Sequence, residues 1–251
     1  MTVVGLLHPG EMGSAVGRVA RAEVLWAPDG RSDATGERAQ AAGLTAAPLE
    51  ELVRRADVVL SICPPHAALD VARAVAALGY SGLYCDANAV SPATALEVAR
   101  AVEEKAAAFV DGGIVGGPPT EPGTRLYLSG ERAKDVGALF SGTTLEPVVL
   151  DARPGTASAL KACYAGWTKG SAALLIALAE AAEALGVRDA LEAEWEHSIP
   201  ELPRRLAGAR RSAAAKGWRW VGEMEEIAAT LRAAGQPDGF HTGAADVFRR
   251  T

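Results

Sequence analysis

Two groups of residues could do chemistry by their type and spacing. The first is His8-Pro9-Gly10-Glu11-Met12-Gly13, which follows the apolar run Val3-Val4-Gly5-Leu6-Leu7 and precedes an Ala- and Val-rich segment of helical period. Strand, tight turn and helix in that order turn the first N–H groups of the helix outward, where a diphosphate would bind. Gly10 would let the backbone approach such a ligand, and Gly13 would let the helix pack closely on the strand. The usual G-x-G-x-x-G fingerprint has a glycine where this chain has His8, so the match is G-x-x-G after the strand. The second group sits on a long apolar helical stretch, where Lys161, Tyr164, Ala165 and Thr168 share one stripe. The chain has only five lysines among 25 basic residues. A lysine inside this stretch either carries its head out to water or faces a crevice as a proton donor with a lowered pKa.

The elements that position these groups follow from pattern. Strands are expected at 3–7, 23–27, 57–63 and 82–86, alternating with helices at about 33–42, 65–78 and from Pro92 with Ser91 as its cap, and a short helix begun by Pro48. Asp57-Val58-Val59-Leu60-Ser61-Ile62-Cys63 is apolar on both faces and belongs to a covered parallel sheet. The alternation predicts a doubly wound sheet whose ligand crevice lies at the carboxyl ends of the strands. The cradle, Arg31 and Ser32, Cys63-Pro64-Pro65 and Asp86-Ala87-Asn88 all fall on that edge. An Arg with a hydroxyl neighbour after the second strand suits a ribose 2′-phosphate, so NADP is favoured, although Asp29 would suit NAD. Ser32 also reads as a helix cap.

From residue 108 the texture becomes hairpin-like, with strands at 108–111, 125–129 and 145–150 and a helix near 133–140. Gly112-Gly113-Ile114-Val115-Gly116-Gly117-Pro118-Pro119-Thr120 reads as a glycine-rich loop whose N–H groups could hold a carboxylate or phosphate. The long helix is expected over 156–185, ending at Gly186, with apolar residues nearly all the way round, as suits burial between domains or subunits. The remainder is helical, with starts at Ser198-Ile199-Pro200-Glu201 and at Trp218 and a break at Pro237-Asp238-Gly239. Glu223, Glu225 and Glu226 read as a solvated or capping face rather than a ligand cluster.

A length of 251 residues predicts two domains, at 1–150 and 151–251. The formal charge of -6 argues against a nucleic-acid or anionic-membrane surface while leaving room for a local basic pocket. Cys63, Cys85 and Cys163 are an odd, widely spaced set in apolar runs, read as reduced, buried thiols of a cytoplasmic protein. No metal site is expected from their spacing to the histidines. No apolar run is long enough to span a bilayer.

In order, these features resemble the β-hydroxyacid dehydrogenases, which include 3-hydroxyisobutyrate dehydrogenase and 6-phosphogluconate dehydrogenase. The resemblance rests on Gly10-Glu11-Met12-Gly13, on Asp86-Ala87-Asn88-Ala89-Val90-Ser91-Pro92 where the family has D-x-S/N-x-x-x-P, on Asp111-Gly112-Gly113-Ile114-Val115-Gly116-Gly117 where it has D-x-P-V-S-G-G, and on Lys161. The stretch 216–248 is similar to a less characterised branch with a domain of unknown function.

The resemblance implies an α/β Rossmann-like N-terminal domain and an all-α C-terminal domain joined by a long helix, with nicotinamide and substrate in the crevice between them. It implies hydride transfer to or from a small hydroxy acid or carbonyl compound, with Lys161 as general acid or base, and a homodimer. His8 to Gly13, Arg31, Ser32, Cys63, Pro64, Pro65 and Asn88 would hold the cofactor. Asn88, Val115, Gly116, Gly117, Lys161, Tyr164 and Thr168 would face the substrate. Val115 stands where the family has a serine and Ala165 where it has an asparagine, so Tyr164 would be the second donor. An imine reductase and a non-catalytic NADP-binding sensor are the alternatives.

Overall fold

The computed structural model describes residues 1–105 and 107–251, which form two compact units, Met1–Lys161 and Ala162–Thr251. The division falls inside a helix rather than at the 150/151 position expected from the sequence.

The first unit is built on one sheet of eight strands: β1 (Val3–Leu7), β2 (Glu23–Trp26), β3 (Thr45–Ala46), β4 (Val58–Ser61), β5 (Leu83–Asp86), β6 (Ala108–Val115), β7 (Thr124–Ser129) and β8 (Leu145–Val149). Their order is β3-β2-β1-β4-β5-β6-β7-β8. All neighbours are parallel except β6 and β7. The helices of this unit are α1 (Glu11–Val19), α2 (Asp33–Ala41), α3 (Leu49–Arg55), α4 (Ala68–Ala77, after a 3₁₀ turn at Pro65–Ala67), α5 (Pro92–Glu103) and α6 (Ala133–Ala138).

Adjacent strand residues point to opposite faces, and both faces are apolar. Leu6, Trp26, Leu60 and Cys85 enter one core, while Leu7, Leu25, Val59 and Tyr84 enter the other. Helices therefore cover the sheet on both sides, as the continuous apolar strands require.

The structure departs from the sequence pattern in three places within this unit. The strand expected to stop at Asp111 continues through Gly112-Gly113-Ile114-Val115 as β6, so the glycine-rich loop begins only at Gly116. Its glycines serve close approach: a Cβ on Gly112 would lie 3.0 Å from the Asp86 carbonyl oxygen, and one on Gly113 would lie 2.9 Å from that of Ala157. The hairpin texture holds only for β6 and β7, because β8 returns parallel to β7 through α6. The Ser32 hydroxyl bonds to Thr35 Oγ1 at 3.1 Å instead of capping α2.

Helix α7 (Thr156–Ala184) begins in the first unit and continues into the second, and Gly186 follows its end at a φ of 70°. The second unit adds α8 (Arg188–Ser198), α9 (Leu202–Ala233) and α10 (Gly239–Arg249) around Ile176, Trp195, Leu206, Met224, Ile227 and Phe248. Ser198 closes α8, with its hydroxyl on Glu194 O at 2.8 Å, and so does not start the next helix. Nor does a helix begin at Trp218, because α9 runs unbroken for 32 residues. Gly217, the natural breaker within it, is a packing notch: a Cβ there would lie 3.0 Å from Thr251 Oγ1.

Glu223 is not solvated either; it is buried against Lys169. Cys63 and Cys85 are buried as expected, but Cys163 is exposed on α7. No helix among the described residues is long and apolar enough to cross a membrane, and none of their His, Cys, Asp and Glu side chains group so as to hold a metal ion.

Candidate active site

The cradle is a strained turn with an open mouth. His8 ends β1 at a φ of 65°, the left-handed conformation that makes glycine usual at this position. The Gly10 N–H donates to His8 O at 2.8 Å, and the Ser14 hydroxyl donates to Pro9 O at 2.7 Å, which pins α1 to the turn. A Cβ on Gly13 would stand 2.5 Å from His8 O, so only glycine admits this packing. A Cβ on Gly10 would meet nothing within 4 Å, which leaves that side clear for a ligand. No side chain caps the first turn of α1 or of α2, so their N–H groups remain available to anionic oxygens. Glu11 and Met12 open α1, exposed and half-buried respectively.

Around this mouth, Arg31 and Ser32 are exposed after β2, and Cys63, Pro64 and Pro65 follow β4. His8 is held down to a pKa of about 4, first by burial and then by the positive charge of Arg31, and its Nδ1 is buried with no hydrogen-bond partner. Burial also lowers Arg31. The Cys63 thiol is pushed up to about 12, mainly by burial and then by the negative charge of Asp86, so it stays protonated. One cationic side chain, Arg31, with uncapped helix starts and the orphaned nitrogen of a neutral imidazole, makes a set that fits the diphosphate and adenosine ribose of a dinucleotide.

The second part of the site lies along the neighbouring strand ends. Asn88 is buried, and its amide bridges two elements: Cys63 N donates to Oδ1 at 2.5 Å, and Nδ2 donates to Ser61 Oγ at 3.0 Å. Its backbone N–H donates to Asp86 Oδ1 at 2.8 Å. The amide therefore ties the loop after β5 to the end of β4, keeping one Nδ2 hydrogen for a ligand.

On β6, the Ile114 carbonyl accepts a hydrogen bond from Lys161 Nζ. This contact places the lysine beside Val115, half-buried, and the exposed pair Gly116 and Gly117. Gly116 takes a φ of 127° and Thr124 Oγ1 donates to Gly117 O at 2.7 Å, which shapes this loop. Tyr164 is 50% exposed one turn further along α7, and Thr168 is exposed with its hydroxyl 3.3 Å from Tyr164 O.

Three residues that sequence reasoning passed over fix the lysine in place. Asp111, fully buried on β6, accepts from Ser158 N at 2.9 Å, from Ser158 Oγ at 2.5 Å and from Ser129 Oγ at 3.0 Å. Ser129 Oγ in turn accepts from Ala157 N at 3.1 Å. The first turn of α7 is thereby capped by a carboxylate and a hydroxyl from two strands, and Lys161 lies three residues beyond Ser158. Only the D of the D-x-P-V-S-G-G resemblance pointed to this clamp.

A doubly wound sheet with a dinucleotide cradle, and a lysine held at the end of the next strands, define the class of NAD(P)-dependent oxidoreductases. Residues 2–135 match the NAD binding domain of 6-phosphogluconate dehydrogenase, and the chain belongs to that family. Residues 182–251 match a domain of unknown function, DUF1932. An uncharacterized 28.5 kDa protein of Methanothermus fervidus is 31% identical over 214 residues, 82% of each chain. The conserved protein MTH1747, reported to be structurally similar to 3-hydroxyacid dehydrogenases, is 28% identical, with a TM-score of 0.71 over 99% of this chain and 96% of that one. The 3-hydroxyisobutyrate dehydrogenase of Salmonella typhimurium shares the fold at 19% identity, with a TM-score of 0.73 over 100% and 94% of the two chains.

Proposed function

We propose that this protein is an NADP-dependent oxidoreductase that interconverts a small hydroxy acid and its carbonyl form, with Lys161 as general acid and base. The observation that carries the reading is the seat of Lys161 Nζ on the Ile114 carbonyl, immediately before Val115-Gly116-Gly117. The bound nicotinamide supplies or accepts the hydride. When the alcohol is oxidised, the neutral Lys161 amine takes the hydroxyl proton; in reduction the ammonium returns it to the oxygen. Gly116 and Gly117 offer N–H groups to the substrate acid, Asn88 its remaining amide hydrogen, and Tyr164 a phenol donor. Arg31, with Ser32 and the N-terminus of α2, favours the 2′-phosphate of NADP.

A homodimer accords with the apolar face formed by Trp167, Leu174 and Phe240, which are 68, 61 and 77% exposed. A Trp167→Glu protein is expected to lower the molar mass measured by light scattering from dimer to monomer. The two buried thiols accord with a cytoplasmic location.

The deciding experiment is calorimetric titration with NADPH and NADH, followed by turnover of hydroxy acids, aldehydes and imines by wild type and Lys161→Ala. Hydroxy acid turnover lost in the variant supports the reading. Intact turnover removes the lysine from the mechanism, and activity on imines alone favours a reductase of C=N bonds.

A further inference from the structure

The acidic chain concentrates positive charge in one place. Residues 202–216, the first half of α9, hold Arg204, Arg205, Arg210, Arg211 and Lys216 and no acidic residue, although the formal charge of the whole chain is -6. A cleft of about 320 Å³ opens between this half-helix and α7 within the second unit, lined by Thr168, Lys169, Ser171, Arg205, Ser212 and Trp220 among others. That volume is at the lower end of the range for small-molecule sites.

The chemistry of the cleft is sorted by position. At its base, the Lys169 ammonium is bonded to the buried Glu223 carboxylate and stands 5.7 Å from the centre of the Trp220 ring. Its charge is thus matched within the fold. Trp220 is braced edge-on by Phe248, with ring centroids 5.0 Å apart, and presents a fixed flat wall. Arg205 is exposed, and no carboxylate among the described residues pairs with it. The Thr168 and Ser171 hydroxyls donate to the Tyr164 and Thr168 carbonyls, so one uncompensated guanidinium, the Ser212 hydroxyl and one indole remain to meet a ligand. Arg204, Arg210 and Arg211 stand exposed on the same half-helix and add a long-range field of the same sign.

From this arrangement we propose that the helical unit binds a small organic carboxylate, its two oxygens on Arg205 and the hydroxyl of Ser212, its flat or apolar body on Trp220. A carboxylate fits better than a phosphate group. The one unmatched guanidinium answers a single negative charge through two parallel N–H bonds. The lining residues lie in the bodies of α7 and α9, where backbone N–H groups are spent on helix bonds and cannot serve a third oxygen. The site goes beyond the proposed dehydrogenation and does not depend on it, because its test reads binding without turnover.

The test is calorimetric titration of the full chain with benzoate, phenyl phosphate and benzyl alcohol. Benzoate is expected to bind saturably and benzyl alcohol not at all. Arg205→Ala is expected to weaken benzoate by about tenfold or more, with part of the affinity returned by Arg205→Lys. Ser212→Leu, which fills the cleft from the α9 side without touching a charge, is expected to abolish binding and gives a second reading should Arg205→Ala fail to fold. Arg210→Gln, away from the cleft, is expected to change affinity by no more than about twofold at physiological salt. No saturable benzoate binding, or an Arg205→Ala protein that binds as the wild type does, overturns the proposal. Phenyl phosphate binding about tenfold tighter than benzoate overturns the choice of carboxylate.

Discussion

Each unit buries a carboxylate that holds helix α7, and the two do so by different physics. In the first, Asp111 is met only by neutral donors, two serine hydroxyls and a backbone N–H, all within hydrogen-bond distance and none exposed. In the second, Glu223 is met by the Lys169 ammonium, itself only partly covered. Neutral donors fixed to strands are directional, so the Asp111 clamp fixes where the first turn of α7 begins and hence where Lys161 emerges. An ion pair between long side chains from two helices is less directional and tolerates sliding. Lys161, the acid and base of the proposed reaction, sits in the unit that uses the directional device.

Substitutions can break or sharpen this contrast. The largest effect is expected for Lys161→Ala, with kcat reduced by about a thousandfold in steady-state assays and NADPH affinity near normal by calorimetry. Next is Asp111→Ala, which strands three buried donors and is expected to cost about 3 kcal/mol in denaturant unfolding. Its helical counterpart, Glu223→Gln, keeps the shape and an acceptor for Lys169; a smaller loss of about 1–2 kcal/mol is expected. Equal losses at the two positions would erase the distinction drawn between them.

Arg31→Ala is expected to weaken NADPH by about tenfold to a hundredfold and to leave NADH unchanged. The smallest effect is expected at His8. Because burial and Arg31 hold its pKa near 4, below the ordinary 6.5, the unfolded chain takes up a proton before the folded one does. The penalty is absent above pH 6.5 and grows as the pH falls towards 4. His8→Gly removes it and relieves the left-handed strain. The variant is expected to match the wild type or exceed it by about 1 kcal/mol at neutral pH and to lose less stability on acidification, read from unfolding curves across that window.

The same two units differ in how far their sequence could be read. Strands β1, β2, β4 and β5 were legible because a strand covered on both faces must be apolar throughout, and a turn must follow it. Thr45-Ala46 was not, because two exposed residues carry no pattern. The cradle was legible from Gly10 and Gly13, whereas the rarity and setting of Lys161 left a water-facing and a crevice-facing head both open, and only the family resemblance pointed to an acid or base there. In the helical unit, Gly217 and the Trp218 stretch suggested a break, yet α9 runs through both.

The sequence by itself determined the doubly wound sheet, the place of the cradle at its edge and the helical character of the remainder, because those follow from local periodicity and turn chemistry. Tertiary structure alone decided what the glycines and carboxylates are for. Gly112 and Gly113 look like a loop and prove to be strand residues that admit the Asp86 and Ala157 backbones. Asp111 looks like the end of a strand and proves to be the cap of a helix 47 residues away, while Glu223 looks solvated and is buried on Lys169. A glycine's spacing does not reveal whether it bends the chain or lets another chain segment approach, and a carboxylate's partner is set by elements far away in sequence, so neither is written in local pattern.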